Sequence, residues 1–192
     1  DLHSRVRRQR QMCIRDRVMQ LDETRLVALV RKGDQRAYSK LVERHLPAIE
    51  VYAKRIVSDD TLAQDIAQDV MVVLWQRSSD FNPNKARLTT WLHRIAYNRC
   101  IDIMRKRQRE VSWDPSESEH PLTESDTSRA KQPIDVALMG LPESQRTALV
   151  LTYYQNLSNR EVAEITNSSV RAVESLLVRA RGNLKKQLET QQ

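Results

Sequence analysis

Four histidines (His3, His45, His93, His120) and two cysteines (Cys13, Cys100) are the side chains best suited to hold a metal or attack a substrate. Their placement favours neither: the histidines are scattered without a ligand-like repeat, and no Cys pairs with a His. There is also no His-Glu-x-x-His run and no glycine loop to cradle a phosphate. No enzyme chemistry, cofactor, metal site or disulfide is expected. The chemistry that remains is non-covalent recognition. On a wheel of 3.6 residues per turn, Trp91, Arg94, Asn98 and Arg105 form one stripe, with Leu92, Ala96, Cys100 and Ile103 opposite. An aromatic beside cations suits unstacked bases, and Phe81, Lys85 and Arg87 just upstream extend the set. The competing reading makes Trp91 a core residue and the arginines a solvated surface. Arg99 falls toward the apolar side, where only an ion pair would accommodate it.

A second constellation lies near the C-terminus. Ser158 and Glu161 have the spacing of a capping box, in which each side chain satisfies a backbone N–H at a helix start. Ala163 is small where a second helix would cross, and Asn167 can take the left-handed conformation of a tight turn. The following helix, from near Ser169, puts Val170, Val173, Leu177, Ala180 and Leu184 on one face. Arg171, Ser175, Arg179 and Lys186 lie on the other, with Glu174 at the edge. Arg, Ser and Glu can reach phosphates or base edges in a major groove wide enough for a helix. A plain helical hairpin with a solvated basic face is the alternative.

Helices must carry both sets. Gly33 ends a first helix, and Asp34 can cap a second that runs toward Val57 with Pro47 inside it. Ser58 can cap a third, from about Asp59 to Arg77. In the third, Leu62, Ile66, Val70, Val73 and Leu74 make a core stripe. A loop from Ser78 to Leu88 follows, and Thr89 opens a fourth helix to about Arg107. Between Gln108 and Gln132 the chain turns acidic and rich in Ser, Thr and Pro, with six acids and no Lys or Arg over 110–128. Such a composition reads as a flexible linker. Helical periodicity resumes at Pro133, with Pro142 suited to a first turn, and runs to about Leu188. The expected fold is all-α: an N-terminal helical bundle (19–107), a linker (108–132) and a C-terminal helix-turn-helix unit (133–192).

Composition agrees: 3 glycines and 6 prolines among 192 residues, 30% of them charged, favour helix over sheet. The longest apolar run, Val70 to Trp75, is far short of the roughly 20 residues that cross a bilayer, so no membrane insertion is expected and the protein is read as cytoplasmic. The net charge of +7 points to an anionic partner. Residues 1–18 supply much of it, with six arginines against two aspartates. That segment reads as translated sequencing adaptor, with Met19 as the start, against the alternative of a basic arm.

The stretches AQDIAQDVMVVLWQ, TTWLHRIAYNRCIDIMRKRQR, LPESQRTALVLTYYQNLSNREVAEI and AVESLLVRARGNLKKQL occur in the order of the signature regions of extracytoplasmic-function sigma factors. The resemblance covers about residues 21 to 188. It implies a factor that binds core RNA polymerase and promoter DNA, and that answers to an anti-sigma factor. Asp65, Gln68, Asp69, Val72 and Trp75 then resemble the surface that docks on the clamp coiled coil of the polymerase's largest subunit. Phe81, Lys85, Arg87, Trp91, Arg94, Asn98 and Arg105 resemble the part that recognises and opens the downstream promoter element, trapping a flipped base. Ser169, Arg171, Ala172, Glu174, Ser175 and Arg179 resemble the reader of the upstream element. Thr166, Asn167 and Ser168 depart from the family's usual Leu-Gly-Ile. The acidic linker fits either a nucleic-acid mimic in the RNA exit channel or a plain tether. Two other classes stay open: a stand-alone regulator, against which the acidic and aromatic third helix argues, and a nucleic-acid-modifying enzyme, which lacks a catalytic cluster.

Overall fold

Gly33 and Asp34 set the first corner of the chain. In the computed structural model, which describes residues 22–113 and 133–190, Gly33 has φ +82° and its N–H donates to the Val30 carbonyl. It ends α1 (22–30) in a conformation that costs glycine little. Asp34 then accepts from the Arg36 and Ala37 N–H groups at 2.8 and 3.0 Å, opening α2 (Gln35–Val57). Side-chain contacts tie α1 onto α2: Arg44 is 3.0 Å from Asp22, and His45 Nε2 is 3.1 Å from Glu23.

The next corner differs from expectation. Ser58 does not cap α3; at φ 62° and ψ 26° it closes α2, donating its N–H to the Lys54 carbonyl. An N-cap needs extended backbone, which Asp59 has at φ −138° and ψ 118°. Its carboxylate accepts from the Leu62 N–H and opens α3 (Asp60–Arg77). A 3-10 turn (Ser78–Asp80) and a loop lead to α4 (Leu88–Trp113), which runs past the expected end at Arg107. Arg107 is engaged there, donating to Asp59 at 2.9 Å. Leu41, Ile49 and Ile56 of α2, Ile66, Val70 and Leu74 of α3, and Leu92, Ala96 and Cys100 of α4 form the first core. Each large side chain buried there contributes about 1.5 to 3 kcal/mol.

The second unit comprises α5 (Pro133–Met139), α6 (Glu143–Leu149) with a π-helical turn (Val150–Tyr154), α7 (Asn159–Thr166) and α8 (Val170–Thr190). Pro142 is the N-cap of α6 rather than its first turn. Leu138, Leu151, Leu157, Val162, Ile165, Val173 and Leu177 are its core. This unit packs on the first, α7 lying against α4 and the π turn against α2. Arg55 stacks over Tyr154, 4.0 Å from the ring centre, and is 3.7 Å from Asp135. Thr90 donates to Glu161 at 3.0 Å. All described elements are helical. The N-terminal segment 1–18 and residues 114–132 of the linker lie outside the described residues.

Candidate nucleic-acid interface

The stripe seen on the wheel becomes a surface. Trp91 is half-buried in the second turn of α4, while Arg94 and Asn98 are exposed. Phe81 is only 4% exposed and backs the indole, ring centres 5.8 Å apart at a tilt of 53°. The two aromatics therefore share the work unequally: Trp91 keeps part of its surface open to solvent, and buried Phe81 packs against it. Between α3 and α4 Trp91 borders a recess of about 240 Å³ lined also by Val73, Arg77, Asp80, Arg94, Ile95 and Asn98. Arg77 and Asp80 pair at 2.7 Å on its rim. The Asn82 carboxamide oxygen accepts from the Asn84 N–H at 2.9 Å, shaping the loop that presents exposed Lys85. Arg105 is exposed but lies seven residues beyond Asn98, about 10 Å along the axis. Arg87 lies 3.9 Å from Glu161 of α7.

The wheel missed Arg77, Asp80 and Ile95, and Val73, expected in the core stripe of α3, is half-buried and lines the recess, because a recess between two helices depends on how they cross. It found Leu92, Ala96 and Cys100, all fully buried. Burial pushes the Cys100 thiol up to about 12, so it carries no nucleophile at neutral pH. Arg99, unexplained from sequence, is 3.8 Å from Asp69 of α3.

On the outer face of α3, Asp65, Gln68, Asp69, Val72 and Trp75 are all exposed and recur at helical spacing. Val72 is 46% and Trp75 36% exposed, large for apolar side chains. Tyr38 supports the indole edge-on, centres 5.1 Å apart, and donates its hydroxyl to the Met71 carbonyl at 3.1 Å. An apolar pair flanked by carboxylates is thus held ready on a rigid helix.

In the second unit the capping box is complete. Ser158 Oγ accepts from the Glu161 N–H, and Glu161 accepts from the Ser158 N–H at 2.9 Å. Burial of Glu161 alone would raise its carboxyl. Hydrogen bonds from Ser158 and Thr90, with the Arg87 charge, outweigh that and hold it below the usual carboxylate range. Asn167 takes the left-handed conformation, φ 51° and ψ 47°, and Ser169 Oγ accepts from the Ala172 N–H at 3.1 Å to start α8. Arg171, Glu174, Ser175 and Arg179 are exposed and Ala172 is half-buried. Arg179 folds back on Ser175 at 3.2 Å. Val170, expected on the core face, is 40% exposed, because it lies at the start of α8 ahead of the buried Val173 and Leu177. Val178, which the wheel did not single out, is 66% exposed.

This pair of helical units, one with a recess beside an aromatic and one with a helix-turn-helix, has close relatives. Residues 41–110 match Sigma-70 region 2, and residues 131–184 match Sigma-70, region 4. Over 162 residues the chain is 30% identical to the ECF RNA polymerase sigma factor RpoE of Cereibacter sphaeroides, covering 80% of this chain and 90% of that one. The chain belongs to the extracytoplasmic-function sigma factors. This sigma factor is likewise 30% identical over 180 residues to SigW of Bacillus subtilis, covering 83% and 92% of the two chains. Its fold is similar to that of CnrH in complex with the cytosolic domain of CnrY, at a TM-score of 0.69, 28% identity and coverage of 89% and 99%. It is also similar to RpoE in complex with the anti-sigma factor NepR from Bartonella quintana, at 0.66, 27%, 81% and 98%. Region 2 contains the α3 face and the Trp91 recess, and region 4 contains α7 and α8 as far as residue 184. As a sigma factor the protein directs promoter-specific transcription initiation by RNA polymerase and is itself non-enzymatic. No helix among the described residues is long and apolar enough to cross a membrane.

Proposed function

We propose that the sigma factor divides its work between three surfaces. The α3 face, Asp65, Gln68, Asp69, Val72 and Trp75, docks on the clamp coiled coil of core polymerase. The Trp91 recess receives an unpaired base of the downstream element, with Lys85, Arg87, Arg94, Asn98 and Arg105 along the strand. The α8 face, Ser169, Arg171, Ala172, Glu174, Ser175 and Arg179, reads the upstream element as duplex. Residues 19–107 and 133–192 serve as the two working units, with α4 carrying the first on to Trp113. Polymerase places the activity in the cytoplasm. The complexes of CnrH and of RpoE with their partners support an anti-sigma factor for this chain too.

The observation that carries this reading is the recess itself: an indole wall backed by Phe81, with exposed Arg94 and Asn98 among its lining. Aromatic stacking on an exposed base is worth about 1 to 3 kcal/mol, and a positive rim holds the backbone. Trp91→Ala is expected to lower open-complex yield, read by permanganate reactivity of unpaired thymines, and to leave upstream duplex binding nearly intact. Arg171→Ala is expected to weaken upstream binding by about 1 to 3 kcal/mol if it reads a base, and to spare melting on a pre-opened template. Normal melting by Trp91→Ala, or impaired melting by Arg171→Ala on that template, would reverse the assignment.

A further inference from the structure

Helices end with carbonyls that have no partner inside the helix, and the negative end of the helix dipole collects there. After α3 the 3-10 turn adds a second sharp bend before Phe81, closed by the Phe81 N–H donating to the Ser78 carbonyl at 3.3 Å. A single side chain from outside the bend reaches both ends of that turn. Arg31 donates Nε to the Ser78 carbonyl at 3.0 Å and Nη2 to the Phe81 carbonyl at 2.6 Å, reaching across 47 and 50 positions of sequence. The planar guanidinium presents its donors in a fixed fork, so it holds two carbonyls at a set separation, which a flexible ammonium does not fix.

The anchor is itself held. Arg31 donates its N–H to the Val27 carbonyl, and Leu26, Val27 and Val30 are buried beneath it. The Arg44–Asp22 ion pair and the 3.1 Å contact of His45 Nε2 with Glu23 fix α1 on α2. What Arg31 grips is the root of the loop: Ser78 is buried, Phe81 backs Trp91, and Asp80 between them pairs with Arg77 on the rim of the recess. Arg31 precedes the segment 41–110 that matches region 2.

We propose that Arg31 is a positioning residue for promoter opening, setting the Ser78–Phe81 turn so that Trp91 and the recess rim meet the unpaired strand. The proposal rests on the reading of the Trp91 recess given above. Arg31 touches no DNA and acts through the turn.

Full-length chains with Arg31→Ala, Arg31→Lys and Trp91→Ala, each assembled with core polymerase, test it. The readouts are affinity for core, affinity of the holoenzyme for a single-stranded oligonucleotide of the downstream element, and permanganate reactivity on duplex promoter. Arg31→Ala is expected to weaken strand binding and open-complex yield at least fivefold, with core affinity within twofold of the unsubstituted protein. Arg31→Lys, which keeps the charge but lacks the fixed fork of donors, is expected to recover part of the loss. Arg31→Ala holding the strand normally while Trp91→Ala does not overturns the proposal. So does a loss of core affinity parallel to the loss of strand affinity, since that is a defect of the whole fold. If Arg31→Ala does not fold, Arg31→Lys decides: weaker strand binding at unchanged core affinity supports the proposal, and none overturns it. Normal strand binding by Trp91→Ala instead strikes at the recess reading itself.

Discussion

Asn167 shows how much one position can carry. The family's usual Leu-Gly-Ile becomes Thr166, Asn167 and Ser168, and the sequence leaves open whether the turn survives. It does: Asn167 adopts the left-handed conformation, Thr166 Oγ1 donates to the Val162 carbonyl at 2.9 Å, and the Ser168 N–H returns to Ala163. Most L-residues pay roughly 1 to 2 kcal/mol for that backbone, and Asn is among the few that visit it routinely. Asn167→Ala is therefore expected to lower stability by about 1 kcal/mol and Asn167→Gly not at all, read from urea midpoints. Phe81 is the opposite case. Sequence places it beside DNA, yet it is buried behind Trp91. An aromatic in a loop reads the same whether it faces solvent or supports a neighbour, so only tertiary packing separates the two. Arg31 is harder still, since its acceptors are main-chain carbonyls, which leave no mark in the residue types.

At the scale of elements, periodicity reads well and corners read poorly. The buried stripe of α3 was legible because Ile66, Val70 and Leu74 recur at helical spacing, and all three are fully buried. The corner at Ser58 and Asp59 was not, because both residue types are good caps and only the backbone angles assign them. Likewise α4 runs on to Trp113 through residues whose composition already resembles a linker. The outward face of α3 yields a test at this scale. Asp65 and Asp69 are exposed, and Asp69 is 3.8 Å from Arg99, so reversing both charges leaves the core untouched while placing cations beside Arg99 and the apolar pair. Asp65→Arg with Asp69→Arg is expected to abolish core-polymerase binding with helical circular dichroism intact. Unchanged core affinity would remove these residues from the docking surface.

For the whole molecule, sequence separates two units but says nothing of how they meet. Thr90 and Glu161 are 71 positions apart, and no local pattern announces their bond. Their contact gives the capping carboxylate of region 4 a second task on region 2, and it turns Arg87 toward Glu161. Near the same seam His93 is 1% exposed, edge-on to Tyr52 and bonded through Nδ1 to the Thr89 carbonyl. Burial lowers its pKa below the usual 6.5. A base depressed in the folded state is protonated more readily in the unfolded chain. Its stabilisation is thus full above about pH 6.5 and is lost as pH falls through the folded value. The urea midpoint is expected to drop between pH 7.5 and 5.5, and His93→Asn to flatten that slope; an equal slope in the variant would acquit His93. Run-off transcription from the DNA upstream of this gene tests whether region 2 and region 4 act together in initiation. Core polymerase with the chain is expected to give a discrete transcript that core alone does not make. A chain that binds the fragment but neither joins core nor yields a transcript would contradict the account and indicate a stand-alone regulator.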